Sequence, residues 1–125
     1  MKVLIVDDSA IVRERLKTML SEIVEPENIS QAKDPFEAIR SFHKLNPEVV
    51  ILDIRMPGGS GIDVLQEIKK ETTPPLVIVL TNYPYPQYRK KCMDAGADFF
   101  FDKSSEFDKV TEVLKQTQEE RGDEQ

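Results

Sequence analysis

Four apolar runs in this chain each end on a residue able to do chemistry. "KVLIV" stops at Asp7 and Asp8, "VVIL" at Asp53, "LVIVL" at Thr81, and "DFFF" leads through Asp102 to Lys103. A single aspartate after a strand is ordinarily just a polar loop residue. Three carboxylates, a hydroxyl and an ammonium in the same relative position are a different matter if the runs are neighbouring strands of one sheet. Carboxylates crowded into one crevice repel, and without a cation at least one takes up a proton. A hard divalent cation removes the conflict, and Mg²⁺ suits the position because it prefers oxygen ligands and is held by one or two carboxylates together with a phosphate oxygen. Asp53 is then the candidate nucleophile, since a carboxylate can form an acyl phosphate. Lys103 offers a flexible point charge and Thr81 a hydroxyl donor to the phosphoryl oxygens.

The elements that must position these residues are readable along the chain. The apolar runs 2–6, 49–52, 76–80 and 98–101, with a weaker one at 28–32, mostly lack apolar/polar alternation, as strands buried on both faces of a parallel sheet do. Helical patterns lie between them. Val12, Leu16, Met19, Leu20 and Ile23 form one stripe with Ser9 as cap. "DPFEAI" starts a second helix with Asp34 as cap and Pro35 in the first position. A third is predicted over 62–71, and a fourth from Pro86 to Ala95 with Gly96 closing it. A fifth is predicted to begin with Ser105 as cap and to bury Phe107, Val110, Val113 and Leu114. Strand and helix alternate five times, which gives an open α/β parallel sheet covered on both faces by right-handed crossovers. Ligands in such sheets bind beyond the carboxyl ends of the strands, where the reactive residues fall.

Composition narrows the function classes. The chain has 125 residues, a net charge of −6, 39% hydrophobic and 32% charged residues, in keeping with one soluble domain. Its 17 basic residues are scattered among 23 acidic ones, which argues against direct nucleic-acid binding. No apolar run reaches membrane-spanning length, and Asp7 and Asp8 interrupt the first too early for a signal peptide. A single cysteine, Cys92, cannot form an internal disulfide, and a cytoplasmic location is expected. The domain is assigned to residues 1–118, with a charged, frayed tail over 119–125.

"VLIVDDS", "VVILDIRMPGGSG", "VIVLTN" and "AGADFFFDKS" resemble, in order and spacing, the motifs of the receiver domain of two-component response regulators, in particular single-domain, chemotaxis-regulator-like receivers. The resemblance implies a flavodoxin-like three-layer sandwich, a five-stranded doubly wound sheet of order 2-1-3-4-5 with five helices. It implies a phosphoacceptor switch rather than a turnover enzyme, in which Asp53 takes a phosphoryl group from the phosphohistidine of a sensor kinase or phosphotransfer protein. Asp7, Asp8 and Asp53 match the Mg²⁺ ligands, and Arg55 the position whose backbone carbonyl completes them. Thr81 and Lys103 match the phosphoryl contacts and Phe100 the switch aromatic. The face formed by the fourth helix, fifth strand and fifth helix is expected to change for a downstream protein, the chain being a monomer or a phosphorylation-dependent dimer. With no effector following, output is expected through a partner, a phosphorelay step or a further domain.

Several residues depart from the family pattern. Ser104 replaces the usual proline after Lys103, and since a cis bond at a non-proline residue costs about 2.5–4 kcal/mol, a trans bond is predicted. Asn82 stands where a small residue is usual, and either slows a donor's approach or holds a phosphoryl oxygen. Pro84 and Pro86 restrict the following loop, so that either the loop is pre-set near its active form or the fourth helix begins late. Tyr83 is placed to shield the acyl phosphate, and with Arg55 it belongs to the positions that set dephosphorylation rates in the family. A phosphorylation-independent, receiver-like interaction module is the alternative. An aspartyl phosphatase would need a second acid two residues after the nucleophile, where Arg55 stands. His43 and Cys92 read as ordinary structural residues, and "GGSG" lacks the Lys-Ser/Thr of a phosphate loop.

Overall fold

The computed structural model describes residues 1–122. In chain order the elements are β1 (Val3–Val6), α1 (Ala10–Leu20), β2 (Ile29–Ala32), α2 (Pro35–Leu45), β3 (Val49–Leu52), α3 (Gly61–Ile68), β4 (Leu76–Thr81), α4 (Pro86–Asp94), β5 (Phe99–Asp102) and α5 (Lys109–Arg121). The strands pair in parallel in the order β2-β1-β3-β4-β5. The doubly wound, flavodoxin-like architecture is therefore as the sequence implied.

Alternation along each strand divides the apolar residues between two cores. Leu4, Val6, Val50, Leu52, Val77, Val79 and Phe100 pack with Ala38, Phe42, Val64, Leu65, Ile68 and Cys92, under α2, α3 and α4. Val3, Ile5, Val49, Ile51, Ile78 and Leu80 pack with Leu16, Leu20, Val110 and Leu114, under α1 and α5. Because both faces are covered, the central strands are continuously apolar. The register aligns Val6 with Leu52 and Leu52 with Val79, so β1, β3 and β4 deliver their following residues to one rim.

Local signals hold at the helix starts. Ser9 accepts a hydrogen bond from Val12 N at 3.2 Å, and Asp34 accepts one from Glu37 N at 2.8 Å with Pro35 next to it. Gly96, at φ 105°, follows α4 in the left-handed region that only glycine enters freely. Three boundaries differ from the sequence reading. α3 stops at Ile68 rather than residue 71, because the Lys69 ammonium is drawn to Pro75 O at 2.8 Å and Asp98 at 2.9 Å as the chain turns into β4. α5 starts at Lys109 rather than after Ser105. Residues before it are held in a turn in which Asp102 Oδ1 accepts from Ser104 N and Oγ, and Glu106 Oε1 accepts from Asp102 N. At its far end α5 continues through Arg121, which pairs with Glu48, and Gly122 closes it at φ 72°. Residues 119–121, which the sequence reading assigned to the tail, belong to α5, and residues 123–125 of that assignment lie outside the described residues.

Candidate functional site

Asp7, Asp53 and Thr81 are the buried polar residues of the described chain, at 2%, 5% and 0% exposure, and all three lie at strand ends on the same rim. Each is tied locally. Asp7 Oδ1 accepts from Ser9 N at 2.9 Å, Asp53 Oδ1 from Ile54 N at 2.9 Å, and Thr81 Oγ1 from Tyr83 N at 2.9 Å. The backbone amide of Lys103 donates to Thr81 O at 2.8 Å, which brings the β5–α5 loop against the end of β4. From there the lysine side chain reaches back over the sheet, its Nζ 2.7 Å from Asp7 Oδ2 and 3.4 Å from Asp53 Oδ2.

Carboxylate oxygens of Asp7, Asp8 and Asp53 lie within 4.8 Å of one another, with Asp8 exposed and the other two buried. One ammonium does not balance three acids. Burial pushes the Asp53 carboxyl from its ordinary 3.8 to about 6; the Lys103 charge opposes this and the neighbouring Asp7 adds to it. Burial also works against the Lys103 charge, but hydrogen bonds and attraction from Asp7 and Asp53 outweigh it and raise its pKa. Three hard oxygen donors at this separation, with a residual negative charge and one face open to solvent through Asp8, fit a divalent cation of the Mg²⁺ type.

The loop after Asp53 is shaped to return at once. Arg55–Met56 pairs antiparallel with Gly59–Ser60, Gly61 N donates to Ile54 O at 2.9 Å, and Ser60 caps α3. A Cβ on Gly61 would lie 1.9 Å from Asp53 O, so only glycine permits this return. The "GGSG" run is accordingly a tight crossing beneath Asp53, not a phosphate cradle.

A family model, response regulator receiver domain, matches residues 3–115. The chain belongs to that family. It is 34% identical over 117 residues to the chemotaxis protein CheY of Halobacterium salinarum, covering 90% of this chain and 96% of that one. Other curated relatives are longer, and the chain spans 38% of the length of one and 23% of another. Among solved structures, the N-terminal domain of an uncharacterized protein from Wolinella succinogenes is 31% identical with a TM-score of 0.88, covering 100% of this chain and 99% of that one. The response regulator TrrA from Thermotoga maritima, in complex with Mg²⁺ and BeF, is 39% identical with a TM-score of 0.77, covering 93% and 98%. The receiver motifs quoted from the sequence thus fall on the strand ends of a receiver fold.

Of the remaining residues singled out in the sequence, Arg55, Asn82, Tyr83 and Ser104 follow this receiver's strand ends closely, and the others lie elsewhere in the fold. Arg55 is exposed, its guanidinium carbon 4.5 Å from the Tyr83 ring centroid, so the two loops beside Asp53 meet in a cation–π contact. Asn82 is exposed and α4 begins at Pro86. The described chain has no cis peptide bond, so Ser104 follows Lys103 in trans. Phe100 is buried at 3% exposure, while Phe99 and Phe101 pack in the opposite core. His43 is exposed and Cys92 is buried. Two arginines were not singled out. Arg13 donates to Asp7 O at 2.8 Å and to Gln31 Oε1 at 2.9 Å, and Arg89 touches Phe100. Arg13 stands one turn into the helix that starts beside Asp7, a spacing that could have drawn attention to it.

No helix among the described residues is long and apolar enough to cross a membrane.

Proposed function

We propose that the protein is a phosphoacceptor switch in which Asp53 receives a phosphoryl group from the phosphohistidine of a sensor kinase or phosphotransfer protein. The observation that carries this reading is the buried Asp53 carboxylate, held between Lys103 and two further acids on one rim.

Asp53 Oδ2 points at Lys103, and as nucleophile this carboxylate attacks phosphorus. A P–O bond forms, the P–N bond to the imidazole breaks, and the imidazole leaves with the electron pair. Lys103, already between Asp7 and Asp53, gives its hydrogen bonds to a phosphoryl oxygen, and the Thr81 hydroxyl gives one to another. Asp7, Asp8 and Asp53, with the backbone carbonyl of Arg55, would hold Mg²⁺, which offsets the charge of the incoming phosphoryl group. The ionised form of Asp53 is the attacking one, so a carboxyl raised to about 6 is ready above that pH.

The product adds roughly −1.5 to −2 of charge and three acceptors beside Thr81 and Lys103, and draws both toward residue 53. The Thr81 hydroxyl, which accepts from the Tyr83 amide, carries that movement to the 82–85 loop and to the α4–β5–α5 face that a downstream protein reads. The Arg55–Tyr83 contact covers the acyl phosphate and slows its hydrolysis. A cytoplasmic location, and a monomer or phosphorylation-dependent dimer, belong to this reading.

Incubation with acetyl phosphate and Mg²⁺ followed by intact mass tests it. The wild type should gain one phosphoryl mass and Asp53→Ala none. The buried Phe100 favours a second reading, an interaction module that needs no phosphorylation, and no mass gain in the wild type would select it.

A further inference from the structure

Phe100 reaches from β5 into the core under α4, in the cluster that includes Val77, Val79, Cys92 and Ala97. Over the ring lies Arg89 of α4, its guanidinium carbon 5.0 Å from the ring centroid, and its Nη2 donates to the Phe100 carbonyl oxygen at 3.3 Å. One side chain therefore grips both the ring and the backbone of the same residue. Arg89 sits in the first turn of α4, where its amide donates to Tyr85 O, next to the loop that follows Thr81. The nearby carboxylate of Glu106 feels the Arg89 charge, but its hydrogen bonds come from the Asp102 amide and the Lys109 ammonium.

The chemistry of the ring points the same way. A phenyl group has no hydroxyl to hydrogen-bond with water or with a partner outside the protein, so nothing polar rewards an outward rotamer. A cation stacked on its face rewards the inward one. We infer that Arg89 is a positioning residue that holds the switch ring Phe100 in its buried place whether or not Asp53 carries a phosphoryl group, because the grip is made within the α4–β5 edge and uses no atom of residue 53. This rests on the phosphoacceptor reading only in naming Phe100 the switch ring. In consequence, phosphorylation of Asp53 moves Thr81 and the 82–85 loop without swinging the ring.

Fluorine NMR of the 125-residue chain labelled with meta-fluorophenylalanine tests the inference, with the Phe100 signal assigned by Phe100→Leu. The change in its shift between H₂O and D₂O reports contact of the ring with water. For the wild type this change should be small, and the same with and without Mg²⁺ and beryllofluoride. In Arg89→Ala it should rise at least about twofold as outward rotamers gain population. Arg89→Met keeps an apolar stem over the ring but loses the charge and the donor, and should behave like the alanine variant. Unchanged Phe42 and Phe107 signals certify that both cores are intact.

A large solvent effect in the wild type that beryllofluoride abolishes would overturn the inference. So would a ring equally buried in both Arg89 variants. If Arg89→Ala exposes the ring while the wild type gains no phosphoryl mass from acetyl phosphate, the latch stands and the phosphoacceptor reading falls.

Discussion

Replacing Asp53 with asparagine should make the metal-free protein more stable, and only above the pH at which the carboxyl ionises. Asp53 is 5% exposed and its pKa is raised from 3.8 to about 6, chiefly by burial. The folded protein therefore binds more protons than the unfolded chain between these values, and its stability falls as pH rises through that window. Each tenfold change in proton affinity is worth about 1.4 kcal/mol, so the two decades amount to at most about 3 kcal/mol, borne in full above pH ~6. Asparagine has nearly the same shape and no charge, but it forfeits the attraction of Lys103 at 3.4 Å, while the tighter 2.7 Å pair of Lys103 with Asp7 remains. The net gain at pH 8 should be about 1–3 kcal/mol and should vanish near pH 4, where the folded carboxyl is neutral. Urea unfolding of both proteins in EDTA at pH 4, 5, 6, 7 and 8 measures it. Groups remote from residue 53 titrate alike in both proteins and cancel in the difference. An Asp53→Asn variant no more stable than wild type at pH 8, or one whose advantage does not change with pH, would refute the claim that Asp53 is ionised against its surroundings.

Gly61→Ala forces a Cβ to within 1.9 Å of Asp53 O and should cost about 3 kcal/mol or more in urea unfolding, with loss of stabilisation by Mg²⁺. Tyr83→Ala uncovers the acyl phosphate and should shorten its half-life roughly threefold or more, read by intact mass after removal of the phosphodonor. Ser9→Ala removes the oxygen that caps Val12 N at 3.2 Å and should lower stability by about 1 kcal/mol in the same urea assay. Cys92 is fully buried, with its thiol pushed up to about 11, and should react with a thiol reagent only at the rate of unfolding, in native buffer against urea.

The parts of this molecule that were legible in its sequence are those governed by short range or by burial on both faces. β1, β3, β4 and β5 read as apolar runs because hardly a strand position there meets water, and the caps Ser9 and Asp34 lie within three residues of the amides they satisfy. The acidic rim was legible because parallel strands end together, so residues far apart in the chain needed no further geometry to meet. What escaped depended on contacts across the fold. The start of α5 is delayed by the bonds among Asp102, Ser104 and Glu106 that hold the lysine loop, and its end is extended by Arg121 pairing with Glu48. The grip of Arg89 on Phe100 spans 11 residues and arises only once α4 is laid beside β5.

The most direct test of the account is the chemical identity of residue 53 after exposure to a phosphodonor. Protein treated with acetyl phosphate and Mg²⁺ is reduced with borohydride, which converts an acyl phosphate to an alcohol, and the peptides are sequenced by tandem mass spectrometry. The account predicts homoserine at position 53 and unmodified aspartate at positions 7 and 8. Homoserine at another acidic position, or aspartate at 53 in protein that had gained a phosphoryl mass, would contradict it.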